Sequence, residues 1–107
     1  DIIMKPRLHE LKTTSPYFQA VLEGLKTFDV RYNDRNFQVG DYLLLVETND
    51  KGHLLGRQLT VRVKYMLFGG MFGVERDYVV MSICHCDTVL PCDNYYFSSF
   101  CHNITCI

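Results

Sequence analysis

The sequence lacks any long apolar run. No stretch of its 107 residues approaches the roughly 18 consecutive apolar residues of a membrane-spanning helix. The first ten residues also lack the apolar core of a secretory signal peptide. We therefore expect a soluble cytoplasmic protein that does not interact with a membrane.

The chain has almost no excess of charge of either sign. Eleven Lys and Arg against twelve Asp and Glu give a formal net charge of −1. A protein held on duplex DNA mainly by release of counterions needs a large positive surface, so this class is excluded. Any contact with a nucleic acid must be local.

Cysteine is absent from the first 83 residues, so that part of the chain folds without a disulfide. We predict one domain over residues 1–83 and a Cys-rich C-terminal extension over residues 84–107. The extension contains seven possible zinc ligands: Cys84, His85, Cys86, Cys92, Cys101, His102 and Cys106. Because structural zinc sites use closely paired ligands and these are scattered, we predict no metal site and no cofactor. The sequon at Asn103 is interpreted as chance.

One helix is predicted near the N-terminus. Ser15 followed by Pro16 is typical of a helix start, with the serine hydroxyl accepting a backbone N–H bond. Apolar residues then recur at helical spacing: Phe18, Val21, Leu22 and Leu25. Gly24 can adopt the left-handed conformation that ends a helix, which predicts a helix from Ser15 to Glu23.

The rest of the first 83 residues favours short strands. Segments 8–11, 42–46 and 78–83 are apolar runs, and segment 59–67 alternates apolar and polar residues. Segment 27–32 alternates as well, with Thr27, Asp29 and Arg31 forming a polar face. Segments 48–56 and 68–77 contain glycine and are predicted to connect strands. Together these patterns predict an α+β, mainly β fold: a small barrel of five or six strands with one or two short helices.

Three segments of the sequence resemble the ASCH domains of the PUA-like superfamily, particularly a bacterial and phage branch of unknown function. They are HELK (His9 to Lys12), the stretch from Ser15 to Asp41, and YVVMSI (Tyr78 to Ile83). The sharpest match is GLKTFDVR, which is similar to the ASCH signature GxKxxExR with Asp29 in place of the usual glutamate. The resemblance implies a PUA-like barrel with a cleft beside the signature, in a superfamily associated with RNA binding and modified nucleosides.

The candidate ligand-binding residues are Lys26, Asp29, Arg31, Arg35 and His9. A guanidinium can fork onto phosphate or a base edge, and a carboxylate can accept from an exocyclic amine. Aromatic residues available for stacking are Tyr17, Tyr32 and Phe72. The simpler alternatives are a surface ion pair between Asp29 and Arg31, a turn built by residues 33–35, and a half-buried structural histidine at position 9.

Two functions from different classes follow. The first is a module that binds RNA or a nucleotide or nucleoside. The second is a small amidohydrolase, because some compact ASCH proteins that resemble this chain act on acylated cytidine through a Lys, Thr and Glu set. Here the catalytic residues would be Lys26, Thr27 and Asp29, with Glu47 or Glu75 as the acid. A protein-interaction role is a third alternative, and no pattern in the sequence indicates an oligomeric state.

Overall fold

A computed structural model describes residues 5–86 of the chain. It contains five strands and one α-helix, in the order β1 (Leu8–Thr14), α1 (Ser15–Leu22), β2 (Phe28–Tyr32), β3 (Tyr42–Thr48), β4 (Leu54–Phe68) and β5 (Tyr78–His85). The predicted mainly β fold with a short helix is confirmed. No helix within residues 5–86 is long and apolar enough to cross a membrane.

The five strands form one curled sheet, a half-barrel, in the order β1-β3-β4-β5-β2. Strands β1 and β3 are parallel, and the other neighbouring pairs are antiparallel. The first two strands in the chain therefore lie at opposite edges of the sheet. Because the sheet curls, these edges approach each other, and the candidate site lies between them.

The concave side of the sheet and one face of α1 enclose the core. Phe18 and Val21 of the helix are each 1% exposed. They pack against inward-facing side chains of the strands and of the β2–β3 connection: Leu11, Phe37, Leu43, Leu45, Val61, Val63, Met66, Val79, Met81 and Ile83. Each fully buried Val, Leu or Phe of this kind stabilises a fold by about 1.5–3 kcal/mol. This packing fixes α1 against β1 and β3.

The helix begins at Ser15 as predicted, but its capping differs from the prediction. The N-cap is Thr14, one residue earlier, and no side chain caps the helix. The Ser15 hydroxyl instead donates to Glu47 Oε2 at 2.8 Å. The predicted serine cap is therefore wrong, because Ser15 is already the first residue of the helix and the capping position belongs to Thr14.

The predicted alternation in β4 is interrupted by a bulge. Val61 and Val63 face the core as expected, but the register with β5 shifts between Val63 and Tyr65. Tyr65 is consequently 70% exposed, and Met66 takes the next core position. One extra residue in a strand moves every later side chain to the opposite face of the sheet. A strict alternation of apolar and polar residues in the sequence does not reveal such a shift.

The strands are longer than predicted at several ends. Strand β1 continues to Thr14, and β3 and β4 extend toward each other, so their connection shrinks to residues 49–53. Strand β5 runs to His85, two residues beyond the predicted boundary of the C-terminal extension. Of the seven possible zinc ligands, four lie outside the described residues: Cys92, Cys101, His102 and Cys106, and Asn103 also lies there. Residues 5–86 contain no group of three or more His, Cys, Asp or Glu side chains that could hold a metal ion.

Candidate ligand-binding recess

A recess of about 650 Å³ lies between the end of β1, the helix α1 and the edge strand β2. We call it the edge recess. It is lined by Lys12, Thr13, Thr14, Tyr17, Ala20, Leu25, Lys26, Phe28, Asp29, Val30 and Arg31. Its volume falls within the range of small-molecule sites, which combine apolar walls with a few convergent polar groups.

The end of α1 places Lys26 at the edge recess. Gly24 has a φ of 80°, in the left-handed region, as the sequence predicts. The backbone N–H of Gly24 donates to the carbonyl of Val21 at 3.0 Å, and that of Leu25 donates to Ala20 at 2.9 Å. These two bonds form a Schellman motif, which reverses the chain and returns it over the last turn of the helix. The reversal brings Leu25 and Lys26 to the mouth of the recess.

Asp29 joins two cations at the inner wall. Its side chain is only 7% exposed, and Lys26 Nζ lies 3.3 Å from Oδ1 while Arg31 Nε lies 2.9 Å from Oδ2. The three central residues of the predicted site therefore form one connected group. The ion pair between Asp29 and Arg31, which is the simpler alternative, does form, but Asp29 is buried and does not lie on the open surface.

Arg31 also spans the gap between the two edges of the sheet. Its Nη1 donates to the carbonyl of Lys12 at 3.1 Å, and its Nη2 donates to Thr13 Oγ1 at 3.1 Å. Arg35 repeats the connection further along, where Nη1 donates to the carbonyl of Glu10 at 2.7 Å. Carbonyls of alternate residues on a strand point to the same edge, so two guanidinium groups satisfy the acceptors that β1 would otherwise leave unpaired.

The edge recess is positively charged in a chain that is slightly negative. Lys12, Lys26, Arg31 and Asp29 together give it a formal charge of +2, against −1 for the whole chain. Two aromatic rings flank the Lys26 ammonium, which lies 4.9 Å from the ring centroid of Phe28 and 5.9 Å from that of Tyr17. Both rings are partly open to solvent.

His9 is placed away from the recess. It is buried, and its Nε2 lies 2.8 Å from Asp41 Oδ2, with Phe37 in edge-to-face contact at 4.8 Å between ring centroids. Asp41 Oδ2 also accepts from the backbone N–H of Gln38 at 3.0 Å, so this aspartate stabilises the turn before β3. The structure thus places His9 in the interior, as the alternative interpretation proposes.

Several other predicted residues lie outside the recess lining. Arg35 contacts β1 as described, and Asn33 Oδ1 accepts from the backbone N–H of Phe37, which is a turn-forming role. Of the three aromatic residues predicted to stack, only Tyr17 lines the recess, whereas Tyr32 and Phe72 do not. The pattern of the sequence did not single out Lys12, Thr13 and Phe28, because their place at the site depends on how the two edges meet.

The residues of the amidohydrolase alternative are only partly brought together. Lys26 and Asp29 line the recess, but Thr27 does not. Glu47 lies on β3 in a separate cluster, where Arg57 contacts it through Nε at 2.8 Å and through Nη2 at 3.0 Å. These bonds, together with that from Ser15, hold the pKa of Glu47 below its ordinary value. A carboxylate held ionised in this way is a poor proton donor.

Comparison with known proteins gives two findings. A family described as a domain of unknown function (DUF3850) matches residues 8–83, which include all five strands except the last two residues of β5. An uncharacterized 12.9 kDa protein in the GpA 3′ region of Escherichia phage P2 is 40% identical over 60 residues, which are 56% of this chain. The aligned part covers 54% of that relative, so the chain spans about half of its length.

Proposed function

This chain belongs to the family described as a domain of unknown function (DUF3850), and we propose that it is a binding module for RNA or a nucleotide. We propose further that its half-barrel is of the ASCH type within the PUA-like superfamily, on the strength of the GLKTFDVR signature. The observation that carries the proposal is the edge recess, where positive charge and accessible aromatic rings occur together. This combination suits a ligand that carries both a phosphate and a base.

The phosphate contacts are assigned to Lys12 and Lys26. Lys12 is exposed at the rim of the recess, and Lys26 lies between the two aromatic rings. Arg31 has five N–H donors, of which three bond to protein acceptors in the contacts given above, so it can add a phosphate contact without releasing the edges. The net charge of the chain makes this binding local and modest in strength.

The base contact is assigned to Tyr17, whose exposed ring lines the edge recess. Stacking on an aromatic ring tolerates any base, because every base has a π-face. Both oxygens of Asp29 already accept hydrogen bonds from cations, so the main role of this carboxylate is to fix the positions of Lys26 and Arg31. Specificity among bases would then come from Thr13, Thr14 and the backbone of the edge strands.

The proposal is tested by fluorescence anisotropy with a labelled single-stranded RNA of mixed sequence, with mononucleotides as competitors. Tyr17→Ala should weaken binding by about 1–3 kcal/mol, whereas Tyr17→Phe keeps the ring and should bind nearly as the wild type does. Lys12→Ala should lower affinity and reduce the slope of log K against log salt by about 0.7. Lys51→Ala, an exposed lysine in the β3–β4 connection, is the matched control and should change neither quantity.

Absence of RNA and nucleotide binding at low salt would overturn the proposal. Equal losses in Lys12→Ala and Lys51→Ala would also overturn it, because the interaction would then be non-specific attraction. Hydrolysis of acylated cytidine that Lys26→Ala abolishes would favour the amidohydrolase alternative instead.

A further inference from the structure

The outer face of β2 and β5 is apolar, although nothing within residues 5–86 covers it. On β2 the outward residues are Phe28, Val30 and Tyr32, which are 45%, 46% and 54% exposed. The strand register extends them into rows across β5 and β4: Phe28–Ser82–Tyr65, Val30–Val80–Leu67 and Tyr32–Tyr78. We call these eight residues the outer patch.

Such a face is unusual for the open side of an antiparallel sheet. An exposed sheet face normally carries polar residues while the opposite face packs on the core. Here the inward side of β2 carries Asp29 and Arg31, so the polarity of this strand is reversed. A contiguous group of exposed aromatic and aliphatic side chains marks an interaction site.

The charges around the outer patch differ between its two ends. Lys64 precedes Tyr65 in the row that contains Phe28, whereas Asp34, Glu75 and Asp77 lie in the connections that flank the Tyr32 row. Lys26 also precedes Phe28, but its ammonium is turned toward Asp29 at the edge recess. Arg35 and Arg76 also lie at the second end, but Arg35 is turned toward Glu10 of β1. Carboxylates at this end oppose an RNA backbone, so only the opposite end of the patch, where Phe28 and Val30 also line the edge recess, adjoins the proposed RNA site.

A hollow of about 420 Å³ lies beside the patch. It is lined by Val30, Gly73, Val74, Glu75, Tyr78 and Val80. The hollow lies toward the Tyr32 end, and the half-exposed Phe28 ring, which also lines the edge recess, lies at the opposite end of the same strand. The face therefore presents an exposed ring, Phe28, at one end and a hollow at the other end, with Val30 between them.

From these features we infer that the outer patch is the interface of a symmetric dimer with a second copy of this chain. The two-fold axis runs between the two sheets, perpendicular to β2 and level with Val30. The rotation sets Phe28 of each copy over the hollow of the other and brings the basic end of one patch to the acidic end of its partner. A two-fold interface must be self-complementary in this way, and sheets pack face to face with their strands nearly aligned.

Sedimentation equilibrium on the full chain tests the dimer. The wild type should show the mass of two chains at high protein concentration and dissociate on dilution. Val30→Glu places two carboxylates near the axis and should shift the dissociation constant by at least about tenfold, or leave one chain only. Leu54→Glu is the matched control, since Leu54 is 63% exposed in β4 and lies outside the patch. It should leave the dimer unchanged.

Charge reversal tests the symmetry. Lys64→Glu and Glu75→Lys should each weaken the dimer, because each places like charges at opposite ends of the patch. The double variant Lys64→Glu with Glu75→Lys exchanges both signs and should restore it. A double variant weaker than either single variant would overturn the arrangement.

A photo-cross-link identifies what covers the patch. A benzophenone amino acid replaces Tyr32, and isotope-labelled chains are mixed with unlabelled ones. Cross-linking should join different chains, through the tryptic peptide 27–31 that contains Phe28. A wild type that sediments as one chain at every concentration would overturn the inference, as would cross-links confined to one chain, including any to residues beyond 86.

Discussion

Arg31 on β2 donates to the carbonyl oxygen of Lys12 on β1 at 3.1 Å, and this bond crosses the gap between the two edges of the sheet. The strands at these edges are not paired to each other in the sheet order. A side chain therefore does here what a backbone ladder does in a closed barrel. An arginine side chain spans a wider gap between two strands than a direct backbone hydrogen bond does. The two edges therefore stay far enough apart to leave the recess between them.

Replacing Arg31 by lysine should destabilise the fold. An ammonium group cannot form the fork that contacts Asp29, Lys12 and Thr13 together, so the variant loses hydrogen bonds to a charged donor. We expect Arg31→Lys to lower the free energy of unfolding by about 1–3 kcal/mol, measured by urea denaturation. Arg76→Lys, at an exposed arginine of the β4–β5 connection, should change it by less than about 0.5 kcal/mol. Equal midpoints for both variants would show that the bridge does not stabilise the sheet.

Removing the Asp29 carboxylate should cost more than weakening one of its partners. In Asp29→Ala, Lys26 and Arg31 would face each other without the anion that lies between them. Breaking a buried charge pair by removing one partner typically costs about 3–5 kcal/mol, and the partial exposure of both cations places the expected loss near the lower end. Asp29→Asn keeps an acceptor oxygen and should lose less. The check is chemical denaturation, with Asp50→Ala in the exposed β3–β4 turn as the neutral reference.

Local patterns predicted the features whose causes are local. The helix ends at a residue in the left-handed conformation, which glycine adopts most easily, and Gly24 supplies it. The position of this glycine is visible in the sequence. The alternation in segment 27–32 places Asp29 and Arg31 on one face without reference to the rest of the chain. These two inferences, joined to the family resemblance, located the centre of the edge recess.

The remaining parts of the site depend on long-range closure of the sheet. Lys12 and Thr13 lie 18 or 19 positions before Arg31 in the chain, and their contact requires the curl of the whole sheet. The outward direction of Phe28 was also hidden, because an apolar residue on an alternating strand is ordinarily assigned to the core. Ser15 shows the same effect, since its hydroxyl found an acceptor on β3 that only the folded chain presents.

Gly69 should tolerate no side chain. A Cβ at this position would lie 1.9 Å from the carbonyl oxygen of Glu75 and 2.8 Å from that of Tyr78, both of which are backbone atoms. The backbone N–H of Gly69 donates to the Tyr78 carbonyl at 2.8 Å, so the strands cannot separate there without losing this bond. We expect Gly69→Ala to lower the free energy of unfolding by more than about 2 kcal/mol.

The control for Gly69 is Gly52, which has a φ of 83° but open space where a Cβ would lie. Gly52→Ala should cost only the strain of a left-handed alanine, about 1–2 kcal/mol. Thermal or chemical unfolding of the two variants separates steric overlap from backbone strain. A Gly69→Ala variant as stable as Gly52→Ala would contradict the close crossing of the β4–β5 connection.

Glu47 should make the stability of the protein depend on pH in the acid range. Hydrogen bonds from Arg57 and Ser15 lower the pKa of this carboxyl in the folded chain, while in the unfolded chain it keeps its ordinary value. The unfolded state therefore binds the proton more readily, and the stabilisation is complete above the ordinary carboxyl pKa and lost as pH falls through the lower, folded value. In Glu47→Gln this contribution is absent, so the urea midpoint should fall less steeply on acidification than in the wild type. Glu75→Gln, at an exposed carboxyl, should follow the wild-type profile, and a Glu47→Gln profile parallel to it would show that the contact with Arg57 does not couple folding to protonation.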